Sequence, residues 1–285
     1  MGSTSFSKKV LEFLHEHSQY DVVAVYTKPD AVRGRGNKLE ETIVKQYAQS
    51  KNIPVETPEN FNDEITFDKL WSYKPTYICV VAYGLILPQE VLDIPRWCLN
   101  IHPSNLPKLR GAAPVERAIL QGETCIPVSI MKMDAGLDTG DYVMTNSCVR
   151  IENKMLDEIY DGLAEIGTNS LCWVLQNIND PTFKWIKQND NEHTEAEKIG
   201  KKELWYSSGD TDETFMRKIQ ASSPSNPSKC RIAGRIVTVL EAQFNNGVLT
   251  IMKVKPDGKN EMDWKSFVAG LQGVDESDLK WEPIE

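Results

Sequence analysis

The chemistry-bearing residues of this chain gather in one short stretch, Leu99-Asn100-Ile101-His102-Pro103-Ser104. In an extended strand alternate side chains share a face, so Asn100 and His102 project together, and Pro103, which cannot donate to a ladder, ends the strand just beyond them. A carboxamide and an imidazole then stand side by side at the carboxyl end of a strand, where open α/β sheets bind ligands. A second polar knot, Met133 to Asp141, sets Asp134, Asp138 and Asp141 around Gly136 and Gly140. Glycines there let backbone amides approach a ligand, and one of the carboxylates could orient His102 and raise its basicity for acid–base work near neutral pH. The same residues admit a plainer reading, with His102 capping a loop and Asp138-Thr139-Gly140 forming a turn. A catalytic metal is not expected, because His15 and His17 fall on a predicted surface helix and His193 in a polar linker, leaving His102 without a second imidazole.

The elements that must position these groups alternate. Phe6, Val10, Phe13 and Leu14 make the stripe of an amphipathic helix. Asp21 to Thr27 and Thr76 to Ala82 read as buried strands, Leu39 to Ser50 as a helix, Cys98 to Ile101 as the strand entering Pro103, and Met155 to Gln176 as a long helix. Strands alternating with helices imply an α/β fold with a doubly wound, mostly parallel sheet. Gln188 to Glu195 is polar and without periodicity, as a linker would be. Beyond Arg231 two apolar stretches flank Asn245-Asn246-Gly247, a strong hairpin signal, so a small β-domain closes the chain. The expected organisation is therefore 1–188 as the main domain, 189–202 as linker and 203–285 as the β-domain.

Composition narrows the class. With 285 residues, 40% of them hydrophobic, and no apolar run near the roughly 20 residues that span a bilayer, the chain reads as a globular, cytoplasmic protein. A formal charge of −9 gives no global attraction to nucleic acid, so any such contact needs a local basic patch. Residues 201–265 hold eleven basic against eight acidic residues, a slight excess compatible with phosphate contacts or with a solvated surface. The six cysteines, Cys79, Cys98, Cys125, Cys148, Cys172 and Cys230, are scattered singly without metal or disulfide spacing and read as reduced thiols.

The stretches Asn100 to Gly122 and Ser129 to Asp141 closely resemble the folate-dependent formyltransferases. Supporting features are Thr27 to Leu39, Pro58 to Phe61, Ala82 to Pro88 and Lys255 to Met262, and within the family the likeness is greatest to members whose acceptor is initiator methionyl-tRNA. The resemblance implies the formyltransferase fold with an OB-like C-terminal barrel that binds tRNA, acting as a monomer. It implies a catalytic trio of Asn100, His102 and Asp138, the last 36 positions after the histidine. It implies 10-formyltetrahydrofolate as formyl donor, no metal, and a folate site of Gly84, Leu85, Ile86 and Leu87, of Ser104, Asn105, Leu106 and Pro107, and of Asp134 and Gly136. Asn105 replaces the leucine usual in the family. Arg33, Arg35 and Lys38 fall in the loop that reaches the tRNA acceptor end. Family members open with an apolar strand before the first helix, whereas this sequence opens inside the motif that follows it, so a central strand is expected to be missing. Other family chemistries fit the same trio: an amino sugar nucleotide as acceptor, or water, as in a formyltetrahydrofolate hydrolase. A folate- or RNA-binding protein without turnover is the reading from another class.

Overall fold

The computed structural model describes residues 1–16, 19–33, 38–271 and 279–284, with the side chains of residues 33, 38 and 146 outside that description. In chain order the first elements are α1 (Ser5–Glu16), β1 (Val25–Tyr26), β2 (Ala31–Arg33), β3 (Lys38–Glu40), α2 (Ile43–Ser50), β4 (Val55–Glu56), α3 (Glu64–Ser72), β5 (Tyr77–Val80), α4 (Gln89–Leu92) and β6 (Trp97–His102). There follow β7 (Arg110–Gly111), α5 (Pro114–Gln121), β8 (Cys125–Lys132), β9 (Tyr142–Arg150), α6 (Leu156–Asn177) and β10 (Glu195–Ala196). The last elements are α7 (Asp212–Gln220), β11 (Lys229–Ile232), β12 (Arg235–Asn245), β13 (Val248–Pro256), β14 (Met262–Asp263) and α8 (Trp264–Ala269). They form two compact units that interleave along the chain. One comprises Met1–Ala112, Pro127–Val149 and Tyr160–Glu195, the other Ala113–Ile126, Arg150–Ile159 and Ala196–Glu285.

In the first unit the central sheet runs β5-β6-β8-β9. Strands β5 and β6 pair in parallel, Val80 opposite Asn100, while β6 and β8 are antiparallel, Asn100 opposite Met131 and His102 opposite Ser129. The sheet is therefore mixed where the sequence pattern suggested a mostly parallel one, because a short return through α5 sets β8 against β6 in the opposite sense. Its core closes over Leu99, Ile101 and Ile130, all essentially buried. Strand β1 pairs in parallel with β4 in a separate two-stranded sheet. Met1 and Gly2 bridge β1 and β5: the Gly2 amide donates to the Tyr26 carbonyl and the Val81 amide to the Met1 carbonyl, each at 2.9 Å.

The second unit holds a four-stranded antiparallel meander, β11-β12-β13-β14, where the sequence showed two strands clearly. The short β11 and β14 carry too few alternating residues to stand out. The β12–β13 hairpin turns on Asn246 and Gly247, both with positive φ as a type I′ turn requires. Thr211 caps α7 by accepting from the Thr214 amide, and Phe215, Met216 and Ile219 of that helix join Val237, Val239 and Val254 in one core.

Cys125 and Cys148 are disulfide-bonded, which corrects the expectation of six reduced thiols; Cys79, Cys98, Cys172 and Cys230 are free. The spacing of the cysteines along the sequence gives no sign of this. No helix among the described residues is long and apolar enough to cross a membrane.

Leu99 is wholly buried on the site-bearing strand, so Leu99→Ala should cost about 2–5 kcal/mol and lower the urea midpoint, whereas Ile65→Ala on exposed α3 should leave it within about 0.5 kcal/mol of the parent.

Candidate functional site

Asn100 and His102 occupy the carboxyl end of β6 and face the same side, as their spacing requires. Beyond Pro103 the chain folds back over the strand end. The Ser104 hydroxyl donates to the Lys108 carbonyl at 2.7 Å, and Ser129 of β8 donates its hydroxyl to the Ser104 carbonyl at 2.7 Å, bracing the loop from below. Leu109, at φ 60°, turns its carbonyl onto the imidazole, 2.9 Å from His102 Nε2. A carbonyl oxygen only accepts, so Nε2 carries the hydrogen and the ring's other nitrogen, Nδ1, is the one that gains and loses a proton.

Nδ1 faces Asp138, whose Oδ2 lies 3.7 Å away, too far for a direct hydrogen bond. Asp138 is itself fixed. Its Oδ2 accepts from the Gly111 amide at 2.8 Å and its Oδ1 from Asn100 Nδ2 at 3.4 Å. The residue sits in the left-handed region, φ 55°, which aspartate tolerates better than most residues. Its loop is shaped by Asp134, whose Oδ1 accepts from the Gly136 amide and the Thr139 hydroxyl, and by Gly140, where a Cβ would overlap the Lys132 carbonyl oxygen. The structure thus brings Asn100, His102 and Asp138 together.

Three further residues hold this cluster, and the sequence pattern did not mark them. Gln188, placed by its neighbours at the start of a polar linker, is buried; its Nε2 donates to the carbonyls of Asp138 at 2.8 Å and Gly140 at 2.7 Å. Its Oε1 accepts from Arg110 Nε at 2.9 Å, and Arg110 Nη2 reaches Asp190 Oδ1 at 2.9 Å. Gly111 supplies the amide that Asp138 accepts. A glutamine in a polar run reads as surface, and only the fold, which lays this segment under the Asp138 loop, shows otherwise.

Of the other expected site residues, Ser104, Leu106 and Leu87 are buried, while Gly84, Ile86, Asn105, Asp134 and Gly136 are exposed and Leu85 and Pro107 are, respectively, half-buried and buried. Exposure of Asn105 explains why a polar side chain is tolerated there: it stays hydrated. Ile86 and Leu137 are large apolar side chains at 89% and 72% exposure on the two loops that flank the strand end. Arg33 and Lys38 face each other across the β2–β3 hairpin; Arg35, and the side chains of the other two, lie outside the described residues. Among the described residues no group of three His, Cys, Asp or Glu could hold a metal ion. Burial pushes the Cys98 thiol, on the same strand, up to about 12, so it is no nucleophile at neutral pH.

A carboxamide donor, a proton-accepting imidazole nitrogen and a fixed carboxylate, with no activated nucleophile beside them, suit transfer of an acyl group between two external partners. On sequence the assignment is firm: residues 1–175 match the formyl transferase family model, and the chain belongs to that family. It is 34% identical to the methionyl-tRNA formyltransferase of Hydrogenovibrio crunogenus over 95% of both chains. Among solved structures, the methionyl-tRNA formyltransferase from Clostridium thermocellum matches 82% of this chain and 97% of its own with a TM-score of 0.60 at 19% identity. HypX from Aquifex aeolicus, in complex with tetrahydrofolic acid, matches 88% of this chain and 48% of its own with a TM-score of 0.59 at 18% identity.

Gln188→Leu would strand two buried carbonyls and an arginine N–H, each at a cost of about 1–3 kcal/mol. The expected result is a clear fall in stability together with faster amide exchange at Gly111, read by hydrogen exchange, as the Asp138 carboxylate loses its fixed position.

Proposed function

We propose that this enzyme transfers the formyl group of 10-formyltetrahydrofolate to the amino group of initiator methionyl-tRNA. The observation that carries the chemistry is the cluster on β6, in which Asp138 is anchored between Asn100, His102 and Gly111. The acceptor follows from the relative that is 34% identical end to end.

Attack of the amine on the formyl carbon makes a tetrahedral oxyanion. Asn100 has two amide hydrogens; one goes to Asp138 and the other is aimed to hold that oxyanion. His102 Nδ1 takes the proton from the attacking amine, and the imidazolium so formed is stabilised by Asp138. The same proton passes to the departing N10 as the carbon–nitrogen bond of the donor breaks. No group on the protein is acylated. Gly84, Leu85, Ile86 and Leu87, with Ser104 to Pro107, Asp134 and Gly136, form the folate site; exposed Ile86 and Leu137 supply apolar cover for a flat ring, and the backbone supplies its polar partners.

Arg33, Arg35 and Lys38 carry the acceptor end of the tRNA, and the C-terminal β-domain, an OB-like barrel in this reading, contacts its phosphates. Residues 1–188 serve as the catalytic domain, 189–202 as linker and 203–285 as the tRNA-binding domain. The enzyme works in the cytoplasm as a monomer.

The test is a formyl-transfer assay with 10-formyltetrahydrofolate and charged initiator tRNA, run beside an amino sugar nucleotide and water as competing acceptors. Asn100→Ala should cost about 10²- to 10³-fold in kcat with little change in folate KM. Full activity of His102→Ala would overturn the mechanism, and preference for another acceptor would overturn the substrate.

A further inference from the structure

The left-handed backbone of Leu109 decides where its own carbonyl points, and that carbonyl occupies His102 Nε2 at 2.9 Å. Leucine does not stay there unaided. Its Cβ crowds the neighbouring carbonyl in this conformation, so the residue keeps it only where its surroundings hold it. The dihedral angles of Leu109 relate the two planar peptide units on either side of it, and whatever fixes both planes fixes the residue.

Each plane is held from two sides. In the plane before Leu109, the Lys108 carbonyl accepts from the Ser104 hydroxyl at 2.7 Å and the Leu109 amide donates to Thr194 Oγ1 at 2.9 Å. In the plane after it, the Leu109 carbonyl rests on His102 Nε2 and the Arg110 amide donates to the Thr194 carbonyl at 2.9 Å. Thr194 is common to both. It falls in the segment 189–202, the linker of the proposed reading, and it is exposed, whereas His102, Leu109 and Arg110 are buried. Its hydroxyl therefore adds little to any core, and what it contributes is position.

We propose that Thr194 is a positioning residue for the acid–base step: by accepting from the Leu109 amide it holds the carbonyl that keeps a hydrogen on His102 Nε2 and leaves Nδ1 free to take the amine's proton. The assignment rests on the formyl transfer proposed above and adds to it a residue that acts only through Leu109. Without the hydroxyl, the Leu109 amide loses its partner, the residue relaxes toward negative φ and its carbonyl leaves Nε2. The ring then carries its hydrogen on either nitrogen. Valine, of nearly the same shape, removes the acceptor; serine keeps it.

Thr194→Val and Thr194→Ser are compared with the parent chain in two measurements, the formyl-transfer assay and the proton–nitrogen correlation spectrum of neutral His102 taken without substrates. Thr194→Val should lower kcat about fivefold to tenfold, the effect of one lost hydrogen bond, with both KM values within about twofold of the parent, and should convert the Nε2–H spectrum to the Nδ1–H form or a mixture. Thr194→Ser should keep the Nε2–H spectrum and a kcat within about twofold of the parent. A valine variant in which either kcat or the spectrum stays parental would overturn the proposal. So would equal losses of kcat in the two variants, the result expected of a threonine that serves only structure or contacts substrate through its methyl group. The spectrum needs no substrate, so a parent chain that formylates nothing would overturn the assigned reaction alone, and the spectrum would still decide whether Thr194 sets the imidazole.

Discussion

The carboxylate of Asp138 is the point on which the site hangs. It reaches the amide of Asn100, faces the Nδ1 edge of His102 and accepts from the backbone of Gly111, so three separate chain segments share one anion. Only the Gly111 contact, at 2.8 Å, is short; the other two are long, at 3.4 and 3.7 Å. Their value lies in geometry: a group that must receive a proton in the transition state works only if its orientation is settled beforehand. The left-handed backbone of Asp138, the close approach at Gly140 and the buried Gln188 brace all serve to hold that one carboxylate still.

In the proposed mechanism the same strand end lets the chemistry do without a covalent intermediate. Leu109 occupies Nε2 of His102 and leaves Nδ1 to the reacting groups, and the nearby thiol of Cys98 is kept protonated by burial. What remains, on that proposal, is a donor for an oxyanion and a base for an amine, set on a strand, β6, that is paired on both edges.

The pairing of Asn100 with His102 was legible because strand alternation is a local rule: the two had to share a face, and Pro103 had to end the strand, whereas Asp138 came from the family resemblance alone. The helices α1 and α6 were legible from their stripes, and the Asn246-Gly247 turn from its dihedral demand. What escaped depends on contacts distant in sequence. Gln188 lies 50 positions from Asp138, and its polar neighbours give no hint of burial. The antiparallel sense of β8, the disulfide-bonded state of Cys125 and Cys148, and the additional short strands of the second unit all arise from how segments meet rather than from their own composition.

The central claim is that His102 meets its substrates through Nδ1, with Nε2 protonated and donating to Leu109. Long-range proton–nitrogen correlation spectra of the imidazole in the neutral state report the tautomer directly. The account predicts the Nε2–H form, with a bare Nδ1, converted to the Nδ1–H form or a mixture when Leu109 is displaced by loop substitution. A neutral His102 that carries its hydrogen on Nδ1 in the intact protein would contradict it.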